Sequence, residues 1–169
     1  MSITQKYAFN IPNISDAEIL AYLNRRENVT TISFISPYTD IPHICPVWSI
    51  FANGRVYFQS DDHTMKIKAI EKGNNQVGLS VMDSRFFPDY VEGSIPYISL
   101  GGPAIIRTKD KFADFEKIIK LIFLKYVEDE VERIKLTNIV CNELKGRILV
   151  EIVPKWFKII KIPKGQEET

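Results

Sequence analysis

Asn53-Gly54 separates two runs dense in Val, Ile, Phe, Tyr and Trp: HICPVWSIF (43–51) before it and RVYFQS (55–60) after it. Both residues tolerate the positive φ that a type I′ turn needs at its two central positions, so the chain here is an antiparallel hairpin. The return strand delivers Ser60. DDHTMKIKAIEKG then reads as a helix with Thr64 and Lys66 at its start, and QVGLSVMD as another strand. Two hydroxyls and an ammonium beside free helix N–H groups form a phosphate seat.

The rest of the chain is organised around this block. Ser15-Asp16-Ala17-Glu18 is a capping box, in which the Ser and Glu side chains each satisfy an orphan N–H. It opens a helix to about Glu27 with Ile19, Leu20, Tyr22 and Leu23 on its buried side. Val29 to Ser36 is a β-branched strand ending in the turn Pro37-Tyr38-Thr39-Asp40. Gln76 to Met82 is a strand, and Arg85 to Gly93 is irregular, with Phe86, Phe87 and Tyr90 around Pro88. Tyr97 to Thr108 is extended, and Gly101-Gly102-Pro103 within it predicts the sharp bend by which a sheet closes as a barrel.

From Lys111 to about Leu144 the period becomes helical, with Phe112, Phe115, Ile118, Ile119, Ile122 and Phe123 three and four apart. After a break near Glu128 a second helix carries Val127, Val131, Ile134 and Ile139, with its charged residues as a solvated face. Arg147 to Val153 is a core strand, Pro154 interrupts it, and Trp156 to Ile162 is extended. The expected fold is α+β, a mostly antiparallel split barrel with flanking helices. It forms one domain over 1–169, with a loose arm at 1–13 and a disordered tail at 163–169.

Composition excludes several classes. Hydrophobic residues at 45% and charged residues at 25% are ordinary for a globular domain. A formal net charge of +1 argues against a nucleic-acid binder. No segment has signal-peptide character or the length to span a bilayer. Cys45 and Cys141 form no C-x-x-C pair, which fits a reducing cytoplasm; both read as small, inert packing residues. The two histidines, His43 and His63, belong to no metal or triad motif.

Four pieces in order resemble the flavin-binding split barrel of the pyridoxamine 5′-phosphate oxidase-like family over roughly residues 28–108. They are Pro46-Val47-Trp48, Gly54-Arg55-Val56-Tyr57-Phe58-Gln59-Ser60, Thr64-Met65-Lys66 and Gly102-Pro103-Ala104. The resemblance implies FMN as cofactor, with its phosphate on Lys66, Ser60 and Thr64. It also implies that the main chain around Pro46, Val47 and Trp48 runs along the isoalloxazine ring. Gln59 is a candidate for the ribityl chain. It further implies a homodimer with each site between subunits, for which Trp156, Lys155 and Arg147 are candidate contributions from the second copy.

Each of these residues has a plainer reading. Asp61 and Asp62 could cap the helix and leave Lys66 solvated. Trp48 could be core, Gln59 an outward strand residue, and Trp156 a plug that closes the barrel. Many family members carry Arg where Met65 stands. True pyridoxamine phosphate oxidases add Arg and His residues near the C-terminus, whereas RILVEIVPKWFKIIKIPKG contains no His, so vitamin B6 oxidation is not expected. The expected function is that of an FMN-dependent oxidoreductase. A deazaflavin-dependent reductase and a non-catalytic carrier of flavin or haem are the alternatives, the haem version being weakened by the want of an axial ligand.

Overall fold

The computed structural model describes residues 15–83, 95 and 97–160. Helix α1 (Asp16–Asn24) starts as its capping box requires: Ser15 N–H donates to Glu18 Oε2 at 2.7 Å and Glu18 N–H to Ser15 Oγ at 3.2 Å. Its buried stripe is Ile19, Tyr22 and Leu23. Leu20, expected among them, is 38% exposed, because one residue turns the side chain about 100° off that stripe.

Strand β1 (Asn28–Ile35) leads into β2 (Pro42–Val47), β3 (Ser49–Ala52) and β4 (Arg55–Asp61). The hairpin turn is as expected, with φ of 52° at Asn53 and 73° at Gly54. Residues 43–51, however, are not one hairpin arm. The run breaks at Trp48: β2 pairs with β1, and β3 pairs with β4. The physical reason lies at Ser49. Its N–H donates to Tyr126 Oη at 3.2 Å, and its carbonyl accepts from Lys125 Nζ at 3.0 Å.

Helix α2 (Met65–Glu71) buries Ile67, Ala69 and Ile70, and is followed by β5 (Gln76–Asp83) and β6 (Tyr97–Arg107). Strand β6 changes partners at the predicted bend. Residues 97–103 pair with β5, whereas Ala104 to Arg107 pair with β7 (Arg147–Ile152). Glycine is required at the handover: a Cβ on Gly102 would run into the Val153 carbonyl, and one on Gly101 would lie 2.5 Å from the Trp156 ring. Strand β8 (Trp156–Ile160) pairs with the first half of β6. The full order is β2-β1-β5-β6-β7-β4-β3, an antiparallel sheet that curls into a half-barrel.

Between β6 and β7 lie α3 (Phe115–Tyr126), α4 (Glu130–Asn138) and one π-helical turn over Ile139–Glu143. Phe112 precedes α3 and stacks on Tyr57 at 6.0 Å. The apolar positions of α4 do not pack inward as a stripe: Val131 is 74% and Ile134 64% exposed, and Thr137 is the residue the helix buries. Two core layers result. One fills the barrel under α1 and α2, around Phe58, Leu100 and Phe157. The other lies between the outer face of β3, β4 and β7 and helix α3, around Tyr57, Leu149 and Ile119. The predicted arm, the aromatic segment from Arg85 to Gly93 and the tail lie outside the described residues.

Candidate cofactor site

Strand β4 carries Ser60 inward, 5% exposed, at the end of the barrel layer that also holds Val56 and Phe58. The next turn brings Thr64 back over it, with the two hydroxyls 3.0 Å apart. Thr64 is the N-cap of α2 by backbone geometry, but its hydroxyl donates to the Asp61 carbonyl at 3.0 Å and no side chain caps the helix. The first turn holds no acidic residue. Lys66, half-buried, makes no ion pair or hydrogen bond among the described residues. Two hydroxyls that both donate to the Asp61 carbonyl, helix N–H groups that no side chain caps and, one residue into the helix, an ammonium without a partner among the described residues thus lie at the start of α2.

Neither neighbouring aspartate caps the helix. Asp61 Oδ1 lies 3.1 Å from Arg147 Nε across the β4–β7 register, an ion pair without hydrogen-bond alignment. The Asp62 carboxylate lies against Gly146 and 3.5 Å from His63 Nδ1, with His63 itself 80% exposed. The repulsion that these carboxylates would exert on a phosphate is thus drawn partly aside.

The remaining candidates are arranged differently. Strand alternation turns Gln59 to the face opposite Ser60, shared with Tyr57 and the α3 layer. Its Oε1 is buried with no partner among the described residues. Trp48 faces the α3 side too: it is 48% exposed and stacks on Tyr126 at 5.1 Å and 15°, with Phe123 edge-on. It is neither a core residue nor a free platform, but one side of an aromatic pair. Val47 packs against the barrel core, and Pro46 is exposed on the sheet's edge strand. The Ser60 and Thr64 hydroxyls meet at the start of α2, the helix that also carries Lys66, and Trp48 and Gln59 face another layer.

Sequence reasoning missed the parts that fix this junction. Lys125, 7% exposed, donates to the carbonyls of Leu23 and Ser49. The Asn24 side chain brackets Phe51, donating to its carbonyl at 2.9 Å and accepting from its N–H at 2.8 Å. Asn24 lies off the apolar stripe of its helix, whereas Lys125 falls on the stripe of Ile118 and Ile122 but reads as solvated because it is a cation; only long-range contact reveals their use. Trp156 covers Gly101 while remaining 46% exposed. Cys141 is buried on the π-turn, and burial raises its thiol pKa. No group of three or more His, Cys, Asp and Glu side chains suited to a metal occurs among the described residues. Nor is any helix among them long and apolar enough to cross a membrane.

The architecture is that of the pyridoxamine 5′-phosphate oxidase-like split barrels. A conserved hypothetical protein from Mycobacterium tuberculosis, Rv2991, superposes with a TM-score of 0.69 at 18% identity, over 93% of this chain and 94% of that one. An F420 reductase gives 0.56 at 17% identity, over 88% and 98%. A Listeria innocua protein provisionally described as a pyridoxamine 5′-phosphate oxidase gives 0.56 at 18% identity, over 85% and 96%. No protein-family model matches the sequence, and no curated protein matches it either. The likeness is one of fold.

Proposed function

We propose that this chain is a homodimeric FMN-binding protein of the cytoplasm that acts as an oxidoreductase. The observation that carries the reading is the meeting of the Ser60 and Thr64 hydroxyls at the uncapped start of α2, the helix that carries Lys66, set in a split-barrel fold. What supports the fit is that hydroxyls, uncapped helix N–H groups and a cation share the start of α2, where a phosphate would sit. Lys66 would hold the phosphate, with the Ser60 and Thr64 hydroxyls turning from the Asp61 carbonyl to donate beside it, and the backbone of Pro46, Val47 and Trp48 would line the ring. When bound, the flavin supplies the hydride or electron chemistry. The chain supplies binding and orientation, for which Lys125 and Tyr126 hold the Ser49 backbone still. The free thiols Cys45 and Cys141 suit a reducing compartment.

The F420 reductase among the structural neighbours favours a second reading, a deazaflavin cofactor in the same seat. It too carries a phosphate, so the basic cluster serves both.

Dimerisation is supported by the outer face of β2, β1, β5, β6 and β8. The register puts Ile44, Ser33, Gly78, Gly101 and Trp156 in one row and Pro46, Thr31, Ser80, Ser99 and Lys158 in the next. Val29 and Met82 lie beside these rows, and they are 46% and 44% exposed. An outward antiparallel face is ordinarily polar and charged, but here Lys158 is the charge these two rows carry. Five strands about 4.8 Å apart give a width of roughly 24 Å. That is wide enough to approach the roughly 800 Å² per partner of a standard interface.

Purification without added cofactor, followed by absorbance and mass analysis of the bound molecule, tests the proposal. A yellow protein releasing FMN supports it, a deazaflavin supports the second reading, and failure to take up either when titrated would overturn both.

A further inference from the structure

Between α3, α4 and the π-helical turn lies a groove of about 450 Å³, within the range of roughly 300–1,000 Å³ in which small-molecule sites fall. Helix α3 turns Ile118, Ile119 and Ile122 to the core and Leu121 and Leu124 to this groove, so the groove is separate from the start of α2. Ile134 of α4 and Cys141 of the π-helical turn complete its aliphatic middle. Burial raises the Cys141 thiol pKa, so the sulfur is a neutral part of that wall. None of the described residues lining the groove is aromatic.

The polar point of the groove is Thr137. It is the residue that α4 buries, 7% exposed, on a helix whose Val131 and Ile134 stand outside. Arg133, Ile134 and Cys141, three or four residues from it, also line the groove, so the Thr137 side chain shares their face. A helical threonine often returns its hydroxyl to the carbonyl one turn back. Thr137 makes no such bond; its hydroxyl has no partner among the described residues, and the oxygen is not sealed from solvent. It is free to donate or to accept.

The charged groups around it are already engaged. Lys120 Nζ lies 2.6 Å from Glu116, and Arg133 donates to the carbonyls of Val127 and Glu128. Glu130 stands in the first turn of α4, where a carboxylate offsets the helix dipole. At the other end Asn142 donates to Asn138 Oδ1 and accepts from Lys109. An ion entering the groove would lose hydration and meet no unbalanced counter-charge. We propose that this groove binds a neutral, mainly aliphatic small molecule carrying one hydroxyl or carbonyl group, with the Thr137 hydroxyl as its hydrogen-bond partner. The site stands whether or not the chain takes up a flavin.

The test titrates 1-octanol, octanoate and octylammonium into the full chain as purified, following the leucine and isoleucine methyl signals by NMR. 1-Octanol should shift the methyls of Leu121, Leu124 and Ile134 saturably, and the two ions should bind at least about tenfold more weakly. Thr137→Val keeps the side-chain shape and should weaken 1-octanol about two- to tenfold. Ile134→Asp, a substitution at an exposed position, puts a charge in the aliphatic middle and should weaken it as well. The methyl spectrum of each variant reports whether it is folded. Shifts confined to other methyls, ions binding as tightly as the alcohol, or unchanged affinity in Thr137→Val would overturn the proposal. So would shifts at these methyls that follow protein concentration instead of the alcohol, which would give the groove to a second copy.

Discussion

Lys125 donates its ammonium to the Ser49 carbonyl at 3.0 Å from within the fold, and the same nitrogen reaches the Leu23 carbonyl at 3.0 Å. One side chain of α3 thus ties α1 to the first residue of β3, at the point where the sequence suggests an unbroken strand. Lys125→Met keeps the stem and removes both donors. It should destabilise the protein by about 1.5–3 kcal/mol, the range for hydrogen bonds to a charged group. A urea midpoint equal to that of the wild type would mean that the break at Trp48 is held by other contacts.

Gly54 has φ of 73° and nothing within 4 Å of where a Cβ would stand. A side chain there meets no steric obstacle, so any cost is one of backbone conformation. Gly54→Val should cost about 1–2 kcal/mol, the penalty of an L-residue in the left-handed region. Gly73→Val, also at positive φ and in open space, is the control for a turn outside the hairpin. Thermal unfolding of the two variants compares them, and no loss for Gly54→Val would put the turn in doubt.

How much of this could be read from the residues depends on the range of the interaction. The capping box, the Asn53-Gly54 turn and the Gly101-Gly102-Pro103 bend were legible because backbone sterics and caps act within a few residues. The break at Trp48 was not, because its cause is a hydroxyl and an ammonium arriving from α3. The exposure of Val131 and Ile134 was hidden for a related reason: an apolar period says that a face wants cover, not which surface provides it. The meeting of Ser60 and Thr64 was legible, because a strand end and the helix start after it are four residues apart. Gln59, a candidate for the ribityl chain through the family resemblance, is turned by strand alternation to the face opposite Ser60.

Tyr22 is 3% exposed, and burial, ahead of its other influences, pushes its hydroxyl pKa up to about 12. The neutral phenol is the form the fold favours. Its contribution is therefore fully present below the unfolded value near 10 and lost as pH rises from about 10 to 12. A shift of that size corresponds to roughly 2–3 kcal/mol across the window. Denaturation measured at pH 9 and pH 11.5 should show a steeper alkaline loss for wild type than for Tyr22→Phe, and parallel losses would contradict the assignment.

Ser80 lies at the centre of the outer face, between Thr31 and Ser99, in the row whose one charge is Lys158. Ser80→Lys would put like charges opposite each other in a two-fold pairing of that face, so sedimentation should show dissociation. The isolated subunit should keep most of its stability, since the side chain points away from both core layers. A monomeric wild type, or a Ser80→Lys dimer as tight as the wild type, would remove this face as the interface.

The central claim is that Lys66 grips a phosphate, and Lys66→Ala tests it most directly. Without ligand the variant should be as stable as the wild type or slightly more so, because a cation leaves a helix start and Ala propagates a helix well. FMN and riboflavin, which differ by the phosphate, are titrated into both proteins. Loss of one charge-assisted hydrogen bond, about 1.5–3 kcal/mol, should weaken FMN by roughly ten- to a hundred-fold, while riboflavin binds both proteins alike. An equal loss for the two ligands, or no loss for either, would contradict the account.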